Sequence, residues 1–300
     1  MTPLSLALIA TLATTEIGTP IPDGWADPDS GFSFVVGPER KIVACDPARG
    51  RTRWATTEPG FPLGLADGRL WVLSQDRIQA LDPSTGKVLI TSQALGLGGW
   101  SILGSSHSHG GQSFTHRELF TEGALLLEWS AMRSRVTGYA GLIKEGEGGG
   151  KVRVDLKTGA VEAVQTVPAS EGSPRDKPEF LAKIESSLPA GASLAWRPSL
   201  NGRHILARIV PPGESVDWGL APKLSFVWDL YDRISGKRLA SPKIPLLVKD
   251  FTVVRDRLFC LWEHEQPGAF HERELQVLTF EGRKAWTLKL WAAPTYPPVP

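Results

Sequence analysis

An Asp-x-x-x-Gly turn that recurs along the chain constrains its fold more than any other feature. It reads Asp46-Pro-Ala-Arg-Gly50, Asp82-Pro-Ser-Thr-Gly86, Asp155-Leu-Lys-Thr-Gly159 and Asp232-Arg-Ile-Ser-Gly236, with a degenerate copy at Thr279-Phe-Glu-Gly282. An Asp in this position accepts hydrogen bonds from amides two residues on, and glycine supplies the positive φ that ends the turn. Strand-like runs precede the copies (KIVAC, RIQAL, KVRV, LSFVWDLY, LQVL), and others such as RTRWAT and RKAWTLKL follow them. The residue four after each glycine is apolar: Trp54, Ile90, Ala163, Ala240 and Trp286. A single turn of this kind says nothing, whereas several with the same flanks define a repeat of hairpins.

A second turn lies upstream of most copies, at Asp67-Gly68, Glu122-Gly123, Asn201-Gly202 and Arg255-Asp256. Asp-Gly and Asn-Gly are strong hairpin signals. Two turns per repeat give four antiparallel strands, which is a propeller blade. The expected fold is therefore all-β, a β-propeller of four-stranded antiparallel blades. Five units are recognisable, at about 25–57, 58–93, 112–166, 190–245 and 246–291; a blade of about 40 residues would make six or seven if the spans 93–112 and 166–190 conceal degenerate ones. One short helical insertion is expected near 174–188, where Phe180, Leu181, Ile184 and Leu188 form an apolar stripe after an early proline. The domain reading is a single propeller over 25–291 and a Pro-rich tail over 292–300. Residues 1–24 are either a signal peptide or a ring-closing strand. Leu4 to Ala13 is apolar like a secretory core but lacks a basic residue before it, and it is too short to span a bilayer. A leader would place the protein in the periplasm or outside the cell; otherwise it is cytoplasmic.

The phrases ACDPARGRTRW and ALDPSTGKVLI, with ADGRLWVLSQDRIQ between them, resemble the repeat of bacterial pyrroloquinoline-quinone-type (quinoprotein-like) propellers, a WD40-like architecture. The resemblance is sharpest over residues 41–93 and around 151–163 and 228–240. It implies the propeller fold and not the cofactor, since many members of this repeat class are binding scaffolds. Quinoprotein dehydrogenases often carry adjacent cysteines beside the cofactor; here Cys45 and Cys260 stand apart in apolar runs and read as two buried thiols, with a disulfide between the first and last repeats of a closed ring as the alternative. No cofactor is expected, quinone or metal.

Charge is balanced, with 33 Lys+Arg against 32 Asp+Glu, so no strong field favours nucleic acid. In a four-stranded meander the first and third turns share one face, while the middle loop and the link to the next blade share the other. The tight turns here are the first and third. The long segments, 94–113, 131–150, 166–190, 211–223 and 263–274, should then project from one side, where binding groups concentrate. The partner-binding candidates on that face are Trp100, Tyr139, Asp217, Trp218, Glu263 and Glu265, aromatics beside charges that suit a protein or peptide. His107, His109, His264 and His271 are the metal candidates, although His-x-His alone lacks the remaining ligands. Gly146 to Lys151 fails the phosphate-loop spacing and reads as a flexible loop. No Gly-x-Ser-x-Gly or His-Glu-x-x-His motif is present.

The sequence therefore leads to a non-enzymatic propeller that binds a protein or peptide through its long-loop face. The alternatives are a small-molecule, carbohydrate or metal-binding propeller, including a hydrolase, and a degenerate quinoprotein.

Overall fold

The computed structural model describes residues 18–97, 110–136, 142–168, 176–214, 224–245, 248–264 and 272–290. The described residues are laid out as five consecutive antiparallel units, the fourth carrying a two-stranded ladder beside its four-stranded sheet. The first holds β1 (Thr19–Ile21), β2 (Gly24–Ala26), β3 (Ser33–Val36), β4 (Lys41–Asp46) and β5 (Arg51–Pro59) in that order. The second is β6 (Phe61–Ala66), β7 (Arg69–Ser74), β8 (Arg77–Leu81) and β9 (Val88–Thr91). The third is β10 (Gly110–Thr121), β11 (Ala124–Val136), β12 (Leu142–Asp155) and β13 (Val161–Ala163). The helix α1 (Glu179–Ser186) follows. In the fourth unit β14 (Ser193–Pro198) and β15 (His204–Val210) lead to β16 (Ser225–Val227), β17 (Asp229–Asp232), β18 (Arg238–Ala240) and β19 (Lys243–Pro245). Its sheet order is β14-β15-β17-β18, with β16 and β19 forming a separate ladder. The fifth is β20 (Val248–Val254), β21 (Arg257–His264), β22 (Glu272–Thr279) and β23 (Lys284–Lys289). Five blade-like sheets succeeding one another in this way form a propeller-type fold. Among the described residues no helix is long and apolar enough to cross a membrane.

The repeated turn is built as its chemistry requires. Asp82 Oδ1 accepts from the amides of Ser84 and Thr85 at 2.7 and 3.0 Å, and Asp155 Oδ1 accepts from Lys157 and Thr158 at 3.0 and 2.7 Å. Hydrogen bonds from the turn's own hydroxyl and amides hold Asp82, Asp155 and Asp232 below the usual carboxylate range. In the upstream turn of the second sheet Asp67 and Gly68 both take positive φ, 53° and 67°, the geometry of a type I′ hairpin.

In the first, second and fifth sheets the apolar residue four after the turn glycine reaches into the next sheet. The Trp54 ring lies over the second sheet's turn: its Nε1 donates to Pro83 O at 3.0 Å, and a methyl at Gly86 would come within 2.7 Å of it. Ile90 meets the third sheet's turn at Gly159, and Trp286 meets the first sheet's turn at Gly50. The fourth sheet's turn at Gly236 is filled by Phe180 of α1. Ring contacts carry Phe180 on to Tyr231, with centroids 5.3 Å apart.

Apolar cores follow the same order. One joins the second and third sheets, one the first and second, one the fourth and fifth, and one the first and fifth. The fourth sheet turns Leu206 and Leu230 toward the fifth, while Ile205 and Ala207 on its other face meet Leu181 of α1. The third sheet turns Leu125, Leu127 and Trp129 toward the second. Its opposite face carries ion pairs, Arg117–Glu128, Lys151–Glu128 at 3.4 Å and Arg153–Glu162 at 3.1 Å. Among the described residues no apolar cluster joins the third sheet to the fourth.

Four local expectations change. The helix begins at Glu179 rather than near 174, because Pro178 holds an extended N-cap with ψ 150°. Residues 131–150 are largely not a loop, since β11 continues to Val136 and β12 starts at Leu142. Gly146 to Lys151 is strand. Gly150 gives up its side chain there to make room for the Trp129 indole, which a methyl would approach to 2.7 Å. The run LSFVWDLY breaks into two strands at Trp228, which is buried and whose amide donates to Pro242 O at 2.9 Å. Cys45 and Cys260 are buried free thiols, pushed up to about 12 by burial.

Candidate functional site: a polar mouth between the sheets

In the second, third and fifth sheets the first strand ends in a tight two-residue turn, at 67–68, 122–123 and 255–256. A cavity of about 260 Å³ lies toward the other ends of those strands, the side assigned to the long segments. It is lined by Asp23, Val36, Phe61, Pro62, His116 and Arg273. Asp23 sits in the turn between β1 and β2 with φ 58°. Phe61 and Pro62 open β6, His116 comes from β10, and Arg273 lies near the start of β22. Four sheets thus contribute to one mouth.

Its polar groups are supported from behind. Arg273 contacts Asp23 at 2.7 Å and approaches Glu263 Oε1 to 3.5 Å; Lys249 pairs with the same Glu263. Burial raises the Asp23 carboxyl and the Arg273 charge opposes the rise, leaving it above the ordinary value. On β10 the residues Phe114, His116, Glu118 and Phe120 alternate onto the face turned toward the second sheet. Phe120 is in the shared core and Phe114 is against it. His116 and Glu118 therefore occupy positions where a strand would ordinarily place apolar groups. His116 lies 5.9 Å from Phe61 and 6.2 Å from Phe114 between ring centroids, and its Nε2 is 3.6 Å from Glu118 Oε2, beyond hydrogen-bond range. Burial pushes His116 down to about 4 and Glu118 up to about 7. Both are consequently uncharged through the mildly acidic range.

Of the expected site residues, Glu263 is placed beside the mouth as the carboxylate shared by Arg273 and Lys249. His264 ends β21. Trp100, His107, His109, Tyr139, Asp217, Trp218, Glu265 and His271 lie outside the described residues. Among the described residues no group of three His, Cys, Asp or Glu side chains can hold a metal ion. Sequence reasoning does not single out Asp23, His116, Glu118, Lys249 or Arg273. The available signal is the alternation in SFTHRELF, which places a histidine and a glutamate in line with two core phenylalanines.

Fold and mouth together define a propeller-type β fold with a polar opening lined by residues of four of its sheets. No protein-family model matches the chain, and no curated protein matches it. Solved structures similar to it include a member of the DUF4221 family from Bacteroides vulgatus, at 11% identity over 94% of this chain and 84% of that one, TM-score 0.30. A eukaryotic initiation factor matches at 7% identity over 92% and 89%, TM-score 0.29. The WD40 domain of SCAP from fission yeast matches at 9% over 95% and 68%, TM-score 0.24. Likenesses this distant carry no argument about activity.

Proposed function

We propose that the protein is a non-enzymatic binding scaffold of the quinoprotein-type repeat class that takes a small polar molecule in the mouth between its sheets. One observation carries this reading: Asp23, His116 and Arg273 come from three sheets into one cavity walled by Phe61 and Pro62. A few convergent polar groups against an apolar wall are the usual makeup of a ligand pocket. Three positions far apart in the chain are brought there at the expense of desolvating ionisable groups. A protein or peptide partner on the same face would use Trp100, Tyr139, Asp217, Trp218, Glu263 and Glu265.

A thermal-shift screen with neutral sugars, dicarboxylates, amino acids and nucleosides tests the mouth. At least one compound is expected to raise the melting temperature of the full chain by about 2 °C or more at saturating concentration, and His116→Ala should abolish the shift. Shifts that survive both His116→Ala and Arg273→Met, or no shift from any compound, would reject the reading.

A further inference from the structure

We propose that the mouth accepts an uncharged polyhydroxylated ring, a neutral carbohydrate of about one sugar unit, with its C–H face on Phe61 and its hydroxyls on Asp23, His116 and Arg273. This rests on the small-molecule reading above and narrows it to one ligand class.

Charge is the first argument. The two carboxylates around the mouth, Asp23 and Glu263, are matched by two cations, Arg273 and Lys249, in one connected set of contacts. An anionic ligand would have to displace Asp23 from Arg273. A cationic ligand would face Arg273 across a 2.7 Å ion pair that already occupies Asp23. Removing either partner from a part-buried pair leaves the other uncompensated, which is costly. His116 is neutral near pH 7, so it tips the balance in neither direction. Below about pH 7, where Glu118 beside His116 is also protonated, the site is polar without having a charge to offer.

Hydrogen-bonding capacity is the second argument. Asp23 can only accept, Arg273 can only donate, and a neutral imidazole does one of each. Arg273 Nε is buried and lies 3.5 Å from Glu263 Oε1, so that carboxylate fixes how the guanidinium is presented. Hydroxyl groups both donate and accept, so a polyol can serve all three side chains, whereas a ligand with only one kind of group cannot. The third argument is shape. Val36, Phe61 and Pro62 form an apolar wall facing these groups, which suits a ring with a polar rim and an apolar face. At about 260 Å³ the cavity falls just under the roughly 300–1,000 Å³ of pockets for drug-sized ligands, so one ring is the fitting size.

Titration calorimetry at about pH 6, where His116 and Glu118 are both uncharged, tests the assignment with the full chain and with glucose, galactose, mannose, glucuronate and glucosamine as probes. At least one neutral hexose is expected to bind, and the charged sugars to bind roughly tenfold more weakly or not at all. Phe61→Leu keeps the wall apolar and removes the flat ring, and it should weaken the neutral hexose roughly tenfold. Should Phe61→Leu fail to fold, Asp23→Asn provides the second variant, with the same expected loss. Tighter binding of glucuronate or glucosamine, unchanged affinity in these variants, or no binding of any of the five would overturn the carbohydrate assignment. A non-sugar compound from the screen whose shift disappears in His116→Ala would, in that event, leave the small-molecule reading standing.

Discussion

The contact between Trp54 and Gly86 shows how much of the fold rests on single positions. At Gly86 the φ of 72° disfavours a side chain, and a methyl there would lie 2.7 Å from the indole; Gly68, at φ 67°, has open space around it. Gly68→Ala should therefore cost only the left-handed backbone penalty, about 1–2 kcal/mol. Gly86→Ala adds displacement of the indole and loss of its bond to Pro83, for about 3 kcal/mol or more in total. Urea unfolding of the two variants checks the difference, and equal losses would mean that the indole does not hold the turn. Glu118 gives a pH-dependent prediction. Its folded value of about 7 stands above the ordinary 4.5, so the unfolded chain releases its proton first as pH rises. The stability tied to the protonated carboxyl is complete below about pH 4.5 and lost as pH passes about 7. Glu118→Gln should thus be more stable than the parent above about pH 7, by up to about 3 kcal/mol, and equal to it near pH 4. Thermal melts across that range would show the two proteins diverging as pH rises, and a constant offset would contradict it.

Among the elements, α1 departs most from the repeat. Phe180 occupies at Gly236 the position that Trp54, Ile90 and Trp286 take on the turns of the second, third and first sheets. The residue with the matching spacing in the third sheet is Ala163, too small to fill it. Leu181, wholly buried, holds the helix against Ile205 and Ala207. Leu181→Ala should cost about 2–3 kcal/mol and release the helix before the sheets unfold. Hydrogen exchange would then quicken across Glu179–Ser186 while β20–β23 keep their protection. Uniform quickening would show instead that α1 is bound into the core. The repeat itself is legible in the sequence because Asp and Gly act through their own backbone, within five residues. The helix is legible from its stripe of Phe180, Leu181 and Ile184, but its start is not, because Pro174 and Pro178 both resemble a first turn. The Gly146–Lys151 run resembles a loop because its glycines answer to Trp129 on the neighbouring strand, and composition does not reveal a cross-strand partner.

For the whole molecule, the informative feature is the meeting of the first and fifth sheets. Asp23 and Arg273, 250 positions apart, are joined at 2.7–2.9 Å above a shared core of Ile21, Val35, Cys45, Phe259, Leu275 and Val277. Arg273→Ala should cost about 2–3 kcal/mol, since it leaves Asp23 desolvated without its partner. Asp23→Ala added to it should cost little more. A double-mutant cycle read by urea unfolding checks this, and additive losses would mean that the two side chains are not coupled. The mouth is hidden from sequence reasoning for the same reason. Asp23, His116 and Arg273 belong to no local motif and share no spacing, so only the arrangement of the sheets makes them neighbours.

That junction also sets a schedule for making the protein. At about 5–20 residues per second of synthesis, 250 positions separate Asp23 from Arg273 by roughly 12–50 s. For that interval the nascent first sheet carries Ile21, Val35 and Cys45 without the fifth sheet that covers them. The sheet that shields the first is made about 250 positions after it, so the first sheet's core face is most exposed to misassociation until Arg273 and its strand have been made.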